Sequence, residues 1–326
     1  MMEMRMVRAA AVVAGAVGGL SGAAYGLLSE QSRRARLLIG VPERSPLRAD
    51  GVYFPDGRYL PDGRTPLCAR DTDPRADALR FVVLGDSSAA GLGVDHPEQL
   101  PGVLLARGLA EETGRSVRLL TLAVSGVNTH GLPTQIDLAL TDRPDVAIVM
   151  IGANDVRDRL PVRVSAAVLG GELRRLRATG VHVVVGTCPD FGMIRRIPQP
   201  LRTIARTWST LLASAQRVAA EQAGALAVPL GDLLSPEFLA RPADLFSQDG
   251  FHPNAAGYEA AAAVLLAPLC AAAGLWGPEP SPAQVRSATA DRLRGLVRRV
   301  ESWLDDLGHS DAPTDEGEAA AARAAS

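Results

Sequence analysis

The chain has 326 residues, 47% of them hydrophobic, which is ample for one large buried core or two modest ones. A formal charge of −2 supplies no field for holding nucleic acid. All 34 basic residues are arginine, which excludes P-loop lysines, Schiff-base lysines and serine–lysine dyads. The three cysteines, Cys68, Cys188 and Cys270, show no metal-type spacing, and Cys188, beside an apolar run, reads as a core thiol.

Residues 9–28 contain no charge and follow Arg5 and Arg8. Their length suits a membrane span, and Ser21-Gly22-Ala23 is a loose small-residue cleavage site, so 1–30 is expected to be a signal peptide or membrane anchor. Arg33, Arg34 and Arg36 follow on the other side, so charge does not orient the segment. Residues 31–77 read as a connecting arm, in which "FPDGRYLPDGR" repeats a Pro-Asp-Gly turn signal.

Regular patterning begins afterwards. Strands are expected at Leu79–Leu84, Val117–Ala123, Val146–Ile151, Val181–Gly186 and Ala225–Leu230. Helical patterns are expected at Glu98–Thr113, Pro133–Thr141, Val162–Ala178, Leu201–Ala223 and Pro253–Ala273. Apolar strands alternating with amphipathic helices indicate a parallel sheet covered on both faces. Beyond Pro280, residues 281–307 are expected to form an amphipathic C-terminal helix, with one apolar stripe (Leu293, Leu296, Val297, Val300, Leu304, Leu307) ringed by arginines, and 308–326 has the Ala/Asp/Glu composition of a disordered tail.

Four short stretches bear chemistry. The first, "FVVLGDSSAAGLGVD" (Phe81–Asp95), lacks the lysine of a P-loop, the third glycine of a dinucleotide fingerprint and the second glycine of a nucleophile elbow. What remains is Ser87, one step past Asp86, at the carboxyl end of a strand, the edge where open parallel sheets bind ligands. The second strand ends in "LAVSGVNTHG", putting Gly126 where a backbone N–H can approach a developing negative charge. The third ends in "VMIGANDV", with Asn154 as a neutral side-chain donor and Asp155 beside it. In "SQDGFHPNAAGY", Asp249 precedes His252 by three residues, an interval at which a carboxylate can hold the imidazole in one tautomer.

Taken singly, each stretch also fits a helix cap or a solvated turn. Together they supply a nucleophile, a base, an orienting acid and oxyanion donors at one edge, the inventory for acyl transfer, with no cofactor or metal required. Adjacency on a sharp turn makes Asp86 a brace for that turn rather than the acid that orients His252, and Asp155 is expected to brace in the same way. A metal-dependent phosphatase built on Asp86, Asp155 and Asp249 is the poorer reading.

With "GDSSAAG", Gly126, "GAND" and "DGFHP" in this order, the stretch from Ala78 to Ala273 resembles the SGNH (GDSL-type) hydrolases, in particular exported or membrane-associated esterases of actinobacteria. The resemblance implies a flavodoxin-like three-layer α/β/α sandwich with a five-stranded parallel sheet over 78–275. It implies Ser87 as nucleophile, His252 as base and Asp249 as its orienting acid. The oxyanion hole would be formed by the Ser87 and Gly126 amides and the Asn154 side chain. Ser88 after the nucleophile and Ser125 before Gly126 depart from the commonest pattern without removing a catalytic group. The expected partners are small-molecule, lipid or glycan esters, not nucleic acid, with membrane association through the N-terminal segment. An O-acyltransferase or carbohydrate deacetylase on an envelope glycan, and a silent binding scaffold, are the alternatives. Phe191, Met193, Ile194 and Ile197 are candidates for an acyl pocket of short to medium length. Arg195, Arg196, Arg202 and Arg206 are candidates for an anionic head group.

Overall fold

The computed structural model describes residues 26–34, 46–62 and 77–272, all within the unit Met1–Glu279. The C-terminal helix expected at 281–307, the tail at 308–326 and most of the N-terminal apolar stretch lie outside the described residues.

Among the described residues seven strands form one sheet; β2 (Tyr59–Pro61) and β1 (Gly51–Tyr53) lie at one edge, followed by five parallel strands. The five parallel strands are β3 (Leu79–Gly85), β4 (Val117–Thr121), β5 (Val146–Met150), β6 (His182–Gly186) and β7 (Leu226–Val228). In chain order they run 2-1-3-4-5, the flavodoxin-like winding, so the chain changes direction across the sheet between β3 and β5. Ligands of such sheets bind at that switch point, outside the carboxyl ends of the strands.

Every residue of β5 is buried, and β3 is buried except for Arg80, because helices cover both faces. Side chains alternate between the two layers. Val82 and Leu84 of β3, with Ala147 and Val149 of β5 and Val183 and Val185 of β6, pack against α3 (Leu132–Asp142), α5 (Val162–Ala178) and α6 (Leu201–Gln222). On the opposite face α2 (Pro101–Thr113) lies so close that a Cβ on Gly102 would be 3.2 Å from Val83 and 3.4 Å from Leu119. The last helix, α9 (Ala255–Ala272), covers this face beside α2. Its mean hydropathy of 1.5 would also suit a membrane span, but here that apolarity is used against α2 and β6.

Expected and observed elements differ in three places. Residues 46–62 are more than a linking arm with turns: β1 (Gly51–Tyr53) and β2 (Tyr59–Pro61) form a hairpin antiparallel to the edge of β4. The first Pro-Asp-Gly signal makes its turn, with the Gly57 N–H donating to Phe54 O at 3.0 Å. Three-residue strands are too short for alternation to announce them. The sheet is therefore mixed, with the expected five parallel strands at its centre. Second, α4 (Ala153–Asp158) occupies what reads as an Asn-Asp turn. Third, α7 (Leu230–Ala240) and α8 (Pro242–Leu245) intervene between β7 and the His252 loop, so that loop joins two helices rather than a strand to a helix. Pro253 does not open α9, which starts at Ala255; Asn254 Oδ1 accepts the Gly257 N–H at 3.1 Å and satisfies its first turn. A helical segment at 26–34, here α1, is tied to the start of α6 by Gln31. Its amide donates to Gln199 O at 2.7 Å and accepts from Leu201 N at 3.2 Å.

Candidate active site

The chain leaves β3 through Gly85, whose φ of +136° and whose closeness to β5 both demand glycine: a Cβ there would lie 1.8 Å from Met150 O. The turn that follows is knit by its own backbone. Asp86 N donates to Met150 O at 3.0 Å, Ala90 N to Asp86 O at 3.0 Å and Leu92 N to Ser87 O at 3.0 Å. Asp86 Oδ1 accepts the Ser88 N–H at 3.0 Å, the bracing contact expected of it. Burial pushes the Asp86 carboxyl up to about 6, against the lowering effect of that N–H and of His252.

The His252 loop meets this turn from the α9 side. Tyr258 Oη donates to Leu92 O at 2.7 Å. Gly93, with φ +105°, lets the two loops touch, since a Cβ there would lie 2.4 Å from Pro253 O. The result is an imidazole 5% exposed, with Nε2 2.9 Å from Ser87 Oγ and Nδ1 2.6 Å from Asp249 Oδ2. An ionised carboxylate only accepts, so Nδ1 carries the proton and the Nε2 lone pair faces the hydroxyl. Asp249 is held in turn: Oδ1 accepts from Ser247 Oγ at 2.8 Å, Phe251 N at 2.8 Å and His252 N at 2.9 Å. Burial raises the Asp249 pKa, but the bond to His252 and these backbone N–H groups outweigh it and bring the carboxyl down to about 2.

Residues 126–129, which follow β4, are gripped by α4, each through a different side chain. Asn154 Nδ2 donates to Val127 O at 2.8 Å, Asp155 Oδ2 accepts from Thr129 N at 3.1 Å, Arg157 Nη2 donates to Gly126 O at 3.0 Å and Asp158 Oδ2 accepts from Asn128 Nδ2 at 2.9 Å. An amide nitrogen has two N–H groups, so the bond to Val127 orients Asn154 and leaves the second donor for another acceptor. Gly126 has φ +83°, and nothing lies within 4 Å of where its Cβ would be, so its φ, not crowding, asks for glycine.

Beside these groups is a largely apolar cavity of about 80 Å³, lined by Met150, Ile151, Phe191, Met193, Ile194 and Phe251 among others. Its wall includes the chain neighbours of Ser87, Asp86 and Ser88, and those of His252, Phe251 and Pro253. Phe191, Met193 and Ile194 stand where the sequence suggested; Ile197 is buried but does not line it. The arginines offered for an anionic head group are mostly engaged elsewhere. Arg195 donates to Leu239 O at 3.0 Å, Arg196 to Gln248 O at 2.7 Å, and Arg206 pairs with Asp190 at 3.3 Å. Cys188 is 1% exposed, and burial pushes its thiol well above the ordinary range, as suits a core thiol.

Two buried glutamines escaped notice in the sequence. Gln135 on α3 accepts from Gly85 N at 2.7 Å and donates to Gly85 O at 2.8 Å; Gln216 on α6 accepts from Cys188 N at 2.7 Å and donates to Ile151 O at 2.8 Å. The signal was available, since each interrupts an apolar stripe: Leu132, Ile136 and Ala139 around one, Leu212, Ala219 and Ala220 around the other. Arg157 and Asp158 had no comparable signature.

The GDSL-like lipase/acylhydrolase family model matches residues 83–260. A GDSL-like esterase of Mycobacterium tuberculosis, Rv1075c, is 41% identical over 268 residues, covering 80% of this chain and 83% of that protein. An arylesterase of Vibrio mimicus is 29% identical over 121 residues, covering 35% of this chain and 58% of its own length. Among solved structures, the lipase/acylhydrolase from Enterococcus faecalis aligns with a TM-score of 0.49 at 21% identity, over 62% of this chain and all of that one. The match to the family model includes Ser87, Gly126, Asn154, Asp249 and His252 and runs into the start of α9, so this chain belongs to the GDSL-like lipase/acylhydrolase family and is a carboxylic ester hydrolase.

Proposed function

We propose that Ser87, His252 and Asp249 act as a catalytic triad on carboxylic esters of short to medium acyl chains, with the Ser87 and Gly126 amides and Asn154 Nδ2 as the oxyanion hole. The observation that carries this is the unbroken path Ser87 Oγ–His252–Asp249, with both of its bonds under 3 Å. His252 Nε2 removes the hydroxyl proton as Oγ adds to the ester carbonyl. The charge that develops on the carbonyl oxygen is met by the three donors. Collapse expels the alkoxide, which takes the proton from Nε2–H and leaves as the alcohol. Water then adds to the acyl-Ser87 ester by the same route, its proton passing through His252 back to Ser87 Oγ and the acid departing. Asp249 stays ionised throughout and stabilises the imidazolium, in keeping with a carboxyl held at about 2.

The acyl chain is assigned to the cavity beside Ser88. An apolar cavity of about 150 Å³ accommodates benzene, so about 80 Å³ favours chains of a few carbons. Residues 1–30 are proposed to deliver the hydrolase domain, 78–275, to the cell envelope as a signal peptide or anchor. A p-nitrophenyl ester series tests the reading. Acetate to hexanoate should be preferred, and Ser87→Ala should abolish turnover. A kcat/KM that climbs steadily beyond C8–C12, or an active S87A, contradicts it.

A further inference from the structure

Gln135 and Gln216 are 3% and 0% exposed, and each places its side-chain amide where a strand has lost its neighbour. Backbone groups of successive strand residues point to opposite sides. Asp86 N–H bonds Met150 O on β5, so Gly85 presents its N–H and C=O toward β4. The paired register with β4 ends at Val83 and Thr121, where β4 begins to peel away into the Gly126 loop. Val124 N still reaches Gly85 O at 3.1 Å, but the Gly85 N–H goes instead to Gln135. The two-bond grip of Gln135 thereby fixes both peptide units that enter the Ser87 turn.

The gap between β5 and β6 is treated alike. Paired register there ends at Met150 and Gly186. Thr187 N–H turns toward β7, to Val228 O at 3.0 Å, so Cys188 N–H faces β5. Gln216 stands between it and Ile151 O with bonds of 2.7 and 2.8 Å, where a direct backbone rung would need only one. An interposed amide holds the two strand ends apart by several ångströms more than a rung does. Ile151 leads into Asn154, and Ile151, Thr187 and Pro189 all wall the cavity. Without a partner, each of these buried peptide groups would carry the full desolvation penalty.

We propose that Gln135 and Gln216 are positioning residues that hold open the carboxyl edge of the sheet around Ser87. Gln135 sets the attitude of the Ser87 turn, and Gln216 sets the width of the crevice that receives the acyl chain. The proposal rests on the triad reading above, whose own failure would show separately as hydrolysis by S87A. A misplacement of about 1 Å can cost roughly 10²-fold in rate. Gln135→Leu, similar in bulk and unable to make either bond, should therefore lower kcat roughly 10- to 100-fold on all esters alike, with KM within about twofold. Gln216→Leu should change the ratio of kcat/KM for butyrate over acetate by roughly fivefold or more, mainly through KM.

The acids supply a test that survives a folding defect in the leucine variants. A protonated carboxyl both donates and accepts, whereas a carboxylate only accepts. Activity of Gln135→Glu relative to wild type should therefore rise as pH falls from 8 to 6, and the butyrate-to-acetate ratio of Gln216→Glu should move toward the wild-type value over the same range. Thermal unfolding of each variant is followed in parallel. A folded Q135L with wild-type kcat, a folded Q216L with an unchanged chain-length profile, or acid variants whose relative behaviour is flat with pH would overturn the proposal.

Discussion

The two ends of the sheet each carry a hollow, and they are built to opposite rules. At the amino edge an open depression of about 680 Å³ is bordered by Arg80, Arg115, Arg143, Asp145, Thr179 and His182. Two of its arginines are engaged locally: Arg80 pairs with Asp145 at 3.3 Å, and Arg115 donates to Asp77 O at 3.5 Å. At the carboxyl edge the cavity is about 80 Å³, yet Asp86 and Thr187 line it, and Ser87, Thr129, Gln135, Asn154, Asp155, Gln216 and His252 are buried at the same edge of the sheet. Buried polar groups are costly to retain, so their concentration at one edge marks the place where chemistry, not volume, has shaped the fold.

The largest effect expected from breaking that asymmetry is at Ser87 and His252. Alanine at either should lower kcat roughly 10⁴- to 10⁶-fold in a p-nitrophenyl butyrate assay, because a triad acts as a unit. Removing the Asn154 side-chain donor should cost roughly 10²- to 10³-fold in kcat, the usual price of one oxyanion contact. If Asn154→Ala altered KM alone, that side chain would be holding substrate rather than the transition state.

Asp86 sharpens the comparison through pH. Its carboxyl is raised to about 6, so its protonated form is the one the fold favours. The stability linked to that proton is complete below the unfolded value of 3.8 and is lost as pH rises through about 6. Asp86→Asn, which keeps an acceptor for the Ser88 N–H, should gain stability relative to wild type between pH 4 and pH 7, on the order of 2 kcal/mol in chemical denaturation. An unchanging difference over that range would remove burial as the cause. Asp249 has the opposite sign: its carboxyl lies at about 2, so its contribution is present above 3.8 and fades only as pH falls toward 2. The smallest effect belongs to the amino edge. Asp145→Asn weakens a half-exposed ion pair while retaining an acceptor for Arg80 N, and should change stability by less than about 1 kcal/mol without affecting kcat.

The same contrast explains what could be read in the chain beforehand. The parallel core was legible because β3, β5 and β6 centre on unbroken apolar runs (Phe81–Leu84, Val146–Met150, Val183–Val185) and the intervening helices are amphipathic; α5 spans Val162–Ala178 as the pattern indicated. Ser87, Gly126, Asn154 and the Asp249–His252 pair could be singled out as candidates because each residue type suits a role in acyl transfer at a strand end or a short loop. The β1–β2 hairpin was not legible, since its strands are three residues long and its contacts leave no local period: Tyr53 stacks on Tyr59 across the turn with centroids 4.8 Å apart, and Asp50 accepts the distant Thr121 N–H at 2.8 Å. Nor was α4 as a clamp, because the pairing of Arg157 with Gly126 and Asp158 with Asn128 spans about thirty residues and leaves no local period.

The central claim is that one hydroxyl forms the covalent intermediate, and covalent trapping addresses it directly. After treatment with a fluorophosphonate probe, peptide mass spectrometry should find a single adduct, on Ser87, that is absent from Ser87→Ala and strongly slowed in His252→Ala. An adduct on another residue, or labelling of S87A at the wild-type rate, would contradict the account.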